Sequence, residues 1–218
     1  MISVKQIVKK ILCLIPIVKD WFGFKMSVYN RVRFVDFLHF KLFKRGVYWP
    51  THRNSEVTQP QNIYIGICSA PGIRPGCYIS GLGGIIIGDY VDIATNVGII
   101  SSNHDMENFQ EHIIPENPIR IGDCCWIGQN SVVLPGVELG PHTIVGAGSI
   151  VTKSFPDGYC VIAGNPARLI KTLDKSQCVS SRKQSEYVGF IAKQEFKDFA
   201  EKYMPNHKYI DVIRAKKY

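Results

Sequence analysis

The sequence predicts a mainly β chain wound as a parallel solenoid, with helical segments at both ends, and three observations carry that prediction. Aliphatic residues recur every six positions: Ile87, Ile93 and Ile99, then Ile121, Ile127, Val133, Leu139, Val145 and Val151. Sixteen of the nineteen glycines fall between residues 61 and 171, in the same stretch as that repeat. The fifth position of each hexad is small or β-branched, holding Cys125, Ser131, Val137, Thr143 and Ser149. A helix of period 3.6 cannot keep six-residue spacing on one face, and a lone strand of period 2 has no need of the glycines.

Residues 1–46 read as a basic, partly helical N-terminal segment. Ile7, Ile11 and Leu14 share one helical face, with Lys5, Lys9 and Lys10 elsewhere. The apolar run ILCLIPIV is too short to span a bilayer, and no small-residue cleavage site follows it. Residues 1–24 include Trp21, Phe22 and Phe24 and would suit the surface of an anionic membrane. The alternative is that the same apolar face packs on protein. Residues 25–45 are apolar and aromatic and are read as helical.

Residues 47–172 make the solenoid. From Ile121 the hexads read IGDCCW, IGQNSV, VLPGVE, LGPHTI and VGAGSI, and upstream IGDYVD, IATNVG and IISSNH follow the same rule. Each hexad supplies a short strand and a turn, so three hexads complete one triangular coil. Ile121 is then expected to stack on Leu139 and Ile127 on Val145, with strands of successive coils about 4.8 Å apart. First-position aliphatics fill the interior, and glycine serves corners where a side chain would strain the backbone.

A solenoid also needs its ends covered. Residues 173–218 supply a cover in this reading. In SEYVGFIAKQEFKDFAEKYM, Tyr187, Phe190, Ile191, Phe196, Phe199 and Tyr203 predict a helix with an apolar face, packed on an end or side of the prism.

The beat breaks once. Ile99 and Ile121 are not separated by a whole number of hexads, so the chain must leave the prism between them. The excursion, IISSNHDMENFQEH, is polar, bears an aromatic residue and contains His104 and His112.

Charge narrows the function classes. Residues 1–60 carry a net +8, residues 61–171 a net −4 and residues 172–218 a net +4. The solenoid is therefore mildly acidic, which argues against a nucleic-acid partner, since phosphate neutralisation needs a basic face on the folded body. The seven cysteines are odd in number and show no metal-ligand spacing, so a reduced, cytoplasmic protein without a metal is expected. Cys125 stands where the repeat wants a small inward residue and is read as core rather than as a catalytic thiol.

These residues carry a resemblance. The hexads, IGDCCWIGQNSVVLPGVELG, VGAGSIVTKSF and IAGNPARLIK closely resemble the hexapeptide-repeat acyltransferases. PGCYISGLGG and GIISSNHD are similar to segments of the O-acetyltransferases of sugars and bacterial surface polysaccharides. The resemblance covers residues 47–172 and implies a left-handed parallel β-helix, a homotrimer and acetyl-CoA sites between neighbouring prisms. It implies that His104 is a general base, a task imidazole suits at neutral pH, with Asn103 and Asp105 beside the acceptor. His112 is a second candidate for the base, His142 is expected at a solvated turn, and His52 has no assigned role.

For the co-substrate, the resemblance places Trp126 along the pantetheine groove and Ala147 and Gly148 at its amides. Thr152, Lys153, Arg168 and Lys171 fall at the nucleotide end of CoA, where cations meet phosphates. Trp126 and Lys153 are expected on one wall of the groove, with His104 on the other. An asparagine that some relatives place upstream to orient the acceptor has no match between Pro71 and Gly84.

The implied activity is acetyl-CoA-dependent O-acetylation of a sugar or glycan hydroxyl by direct transfer. N-acetylation of an amino sugar or nucleotide-linked sugar, a zinc lyase on the same solenoid and a non-catalytic module are the alternatives. The expected place is the cytoplasm, at the inner face of the membrane if residues 1–24 bind lipid.

Overall fold

The computed structural model describes residues 46–180 and 186–216, with residues 18, 34, 35 and 38 before them. The expected helical segment at 1–46 and the membrane contact of residues 1–24 lie, but for those isolated positions, outside the described residues. No helix among the described residues is long and apolar enough to cross a membrane.

Three sheets of parallel strands wind about one core. The first face stacks β1 (Glu56–Thr58), β3 (Tyr78–Ser80), β6 (Gly98–Ile100), β11 (Val132–Val133) and β14 (Ile150–Val151). The second stacks β2 (Ile63–Ile65), β4 (Ile85–Ile87), β9 (Ile119–Ile121) and β12 (Glu138–Leu139). The third runs β5 (Asp92–Ile93), β10 (Trp126–Ile127), β13 (Thr143–Val145) and β15 (Cys160–Gly164). Antiparallel β16 (Ala167–Thr172) closes this third face.

The register is the one the hexads require. Leu139 pairs with Ile121, Val145 with Ile127 and Val151 with Val133, each pair three hexads apart. Ile99, Ile127, Val133 and Val151 are sealed from solvent. Each such side chain contributes about 1.5–3 kcal/mol by leaving water.

The small fifth positions form a second buried column at the corners, and their polar atoms are satisfied there. Thr143 Oγ1 donates to the Gly140 carbonyl at 2.7 Å, and Ser131 Oγ and Ser149 Oγ donate to the Gly146 carbonyl. Cys125 Sγ donates to Gly140 O at 3.2 Å, which fits its reading as core. Gly140 shows why the second position is so often glycine: an added Cβ would stand 2.1 Å from the Pro156 carbonyl oxygen of the next coil.

Above the regular coils the spacing lengthens. Ile65 pairs with Ile87 and Ile79 with Ile99, so these coils hold slightly more chain than three hexads. Ile99 in turn pairs with Val133, and the chain between them far exceeds one coil. The surplus leaves the prism between β6 and β9, where it forms β7 (Asn103–His104) and β8 (His112–Ile113).

The expected C-terminal helix is corrected in its first half. There β17 (Tyr187–Val188) and β18 (Ile191–Ala192) form an antiparallel hairpin. Helix begins only at α1 (Phe196–Tyr203), followed by α2 (Ile210–Ala215). The cause is Gly189, which takes a left-handed φ of 59° where an added Cβ would lie 2.2 Å from Tyr48 O. The segment covers the first coils. His207 Nε2 lies 3.1 Å from Ile63 O, the Lys208 N–H donates to Gln61 O, and the Phe196 ring packs 5.5 Å from that of Tyr48.

Candidate active site

The excursion folds as a hairpin because its own polar groups close it. Strand β7 pairs antiparallel with β8, in a register that puts His104 opposite His112. Asp105 Oδ1 accepts hydrogen bonds from the backbone N–H groups of Glu107 and Asn108, both at 2.8 Å. Those two donors hold the Asp105 carboxyl below its ordinary pKa. The oxygen expected to face an acceptor is thus engaged in the turn, an Asx-type closure.

At the loop's foot, Ser101 Oγ donates to Ser80 O at 2.6 Å and accepts from the Gly83 N–H. On the return limb, Pro115 lies against the next coil: an added Cβ on Gly136 would stand 3.5 Å from Pro115 Cβ.

His104 is exposed on this hairpin, and its Nδ1 lies 2.6 Å from the carbonyl oxygen of Phe109. A carbonyl can only accept, so Nδ1 carries the hydrogen and Nε2 keeps its lone pair. Sequence reasoning missed Phe109, because the group it contributes is a backbone carbonyl that no residue type signals. The His112 ring stands 4.4 Å from that of His104, at 85° to it. His142 is half-buried rather than solvated, its ring stacked 5.0 Å from Tyr159. His52 Nδ1 accepts from the Asn54 N–H.

The residues expected at the co-substrate divide between two places. Trp126 projects from the third face, 52% exposed, in an outward row that reads Asp92, Trp126, Ile144, Val161, Lys171 by strand register. Ala147 and Gly148 form the exposed corner between the third and first faces. Gly148 has φ +69°, and an added Cβ would meet nothing within 4 Å, so the corner is open. Arg168 pairs with Ala163 on the hairpin strand above that corner, with Nη1 donating to Ala167 O.

Thr152 and Lys153 stand elsewhere, at the corner between the first and second faces just after β14. Their coil lies two turns past the one from which the His104 loop leaves, because Val151 continues the column of Ile99 and Val133. This regroups the expected walls: Lys153 shares a corner with the His104 loop and not a face with Trp126. One chain therefore carries two half-sets of these residues on different edges. Among the described residues no group of three or more His, Cys, Asp or Glu side chains is arranged to hold a metal ion.

A three-faced coil of hexads with one extruded, histidine-bearing loop defines the class, and comparison with known proteins agrees. Residues 118–153 match the family described as bacterial transferase hexapeptide (six repeats). Those residues are similar to the family's hexapeptide repeats, and the chain is similar to galactoside O-acetyltransferases.

It is 40% identical over 96 residues to the galactoside O-acetyltransferase of Escherichia coli (strain K12), covering 41% of this chain and 45% of that one. It superposes on a galactoside acetyltransferase in complex with coenzyme A with a TM-score of 0.53 at 27% identity, covering 80% of this chain and 87% of that chain. The chain spans about half the length of the curated relatives it matches. The three-sheet coil is consistent with the left-handed β-helix that the resemblance implies.

Proposed function

We propose that the chain is an acetyl-CoA-dependent O-acetyltransferase acting on a sugar or glycan hydroxyl, with His104 as general base. The observation that carries this reading is the Phe109 carbonyl on His104 Nδ1, which leaves the basic Nε2 on an exposed loop. The likeness to galactoside acetyltransferases supports the acceptor and donor classes. In the reaction, the acceptor hydroxyl gives its proton to Nε2 as its oxygen bonds the acetyl carbon. The thioester C–S bond breaks, and the imidazolium returns the proton to the departing thiolate.

Direct transfer is supported by the state of three buried cysteines. Burial pushes the Cys125 thiol up to about 12, and burial also raises Cys77 and Cys160, so none of the three offers a thiolate to carry an acyl group.

The open corner at Gly148 suits the narrow pantetheine arm, with exposed Trp126 beside it and Arg168 above to meet phosphate. The division of residues within one chain supports a homotrimer. A neighbour's third face against this chain's first-to-second corner would join the two half-sets, and rotational closure makes such head-to-tail contacts a ring.

The test is mass spectrometry of sugar acceptors after incubation with acetyl-CoA. One added acetyl group, lost in mild base, is the expected product. An acetyl group that survives mild base is an amide and would refute O-transfer.

A further inference from the structure

The hairpin that carries His104 carries a second imidazole, and the hexapeptide repeat gives no reason for it. His112 sits directly across the ladder from His104, with ring centroids 4.4 Å apart and planes at 85°. Among the described residues, His104 has its one hydrogen bond at Nδ1, to the Phe109 carbonyl. An exposed imidazole with one hydrogen bond can still tilt about that contact, since torsions of this kind are broad. A perpendicular ring at van der Waals distance blocks the tilt on one side and favours a single pose.

We infer that His112 is a positioning residue, which fixes the His104 ring so that Nε2 points to the acceptor. This rests on the general-base reading of His104. The hairpin is built to keep the two rings in register: the Asp105 N–H donates to Glu111 O, the Glu111 N–H donates to Asn108 O, and Asp105 Oδ1 closes the turn between them. The ring of His112 does this work by its shape, and its nitrogens take no part in the transfer. An aromatic ring without nitrogen should therefore serve in its place.

The experiment compares His112→Ala, His112→Phe and His104→Ala in the full chain, by steady-state kinetics and ¹⁵N-histidine NMR. His112→Ala should lower kcat roughly five- to tenfold, the orienting worth of one aromatic pair, with the KM for acetyl-CoA unchanged. The His104 nitrogens should shift from the Nδ1–H pattern toward a tautomer mixture, and His112→Phe should restore both readouts. Wild-type kcat and an unmoved nitrogen pattern in His112→Ala would overturn the positioning role, as would a Phe variant as slow as the Ala variant. Wild-type turnover in His104→Ala would overturn the base reading instead, and the nitrogen spectra would still report whether His112 holds the ring.

Discussion

Val133 pairs with Ile99 across the whole excursion and with Val151 across just three hexads, so one side chain marks where the coil opens to release a loop and where it resumes. The prism can eject that loop because the column on either side is continuous. Ile99, Val133 and Val151 are all fully buried. Replacing Ile99 by Ala should cost about 2–5 kcal/mol through lost burial and a residual cavity. Denaturant unfolding measures this, and a loss below about 1 kcal/mol would mean that the column does not anchor the loop.

The residues proposed to face CoA should separate binding from chemistry. Trp126→Ala and Arg168→Ala are expected to raise the KM for acetyl-CoA roughly tenfold each while leaving kcat near wild type, the pattern of interactions equal in ground and transition states. Calorimetry of acetyl-CoA binding gives the same comparison without turnover. Unchanged affinity in both variants would remove the third face from the donor site.

Cys125 offers a test of direct transfer. Its thiol is sealed in the core, bonded to Gly140 O and pushed up to about 12 by burial. Cys125→Ser, which keeps a small donor in the corner, should retain kcat within about twofold. A collapse of activity in a folded variant would argue for an acyl-enzyme.

The C-terminal cover should respond to acid. His207 is buried, its Nε2 donates to Ile63 O and its Nδ1 accepts from the Tyr209 N–H. Burial, the largest cause, lowers its pKa below 6.5. The unfolded chain then binds the proton more readily than the folded one. The stabilisation is complete above about pH 6.5 and is lost as pH falls through the lower folded value. Amide protection factors across residues 186–216, which correct for the slower intrinsic exchange in acid, should therefore fall at pH 5 relative to pH 7.5, and His207→Gln should abolish most of that difference. Equal protection factors at both pH values would rule out His207 as the cause.

How much of this was legible in the sequence depends on whether side chains or backbone carried the signal. Ile121, Ile127 and Val133 announce their stacking partners because a coil of fixed length makes burial periodic. The loop was legible as a break in that period, and His104 as the base candidate within it. The hairpin at Tyr187–Ala192 was not, because its apolar spacing also fits a helix and the deciding feature is Gly189's left-handed conformation against Tyr48. The partner of His104 Nδ1 was hidden for a similar reason: Phe109 contributes a carbonyl oxygen. The placement of Lys153 apart from Trp126 needed the count of faces, since their separation along the chain says nothing until each corner is assigned.

The turnover of His104→Ala, measured beside its affinity for acetyl-CoA, tests the base assignment more directly than any other variant. General acid–base catalysis is worth roughly 10²–10⁴ in rate. A fall in kcat of that size is expected with acetyl-CoA binding by calorimetry unchanged, because Nε2 is proposed to act on the acceptor's proton and other side chains to hold the donor. A variant that acetylates its acceptor at the wild-type rate would contradict the assignment.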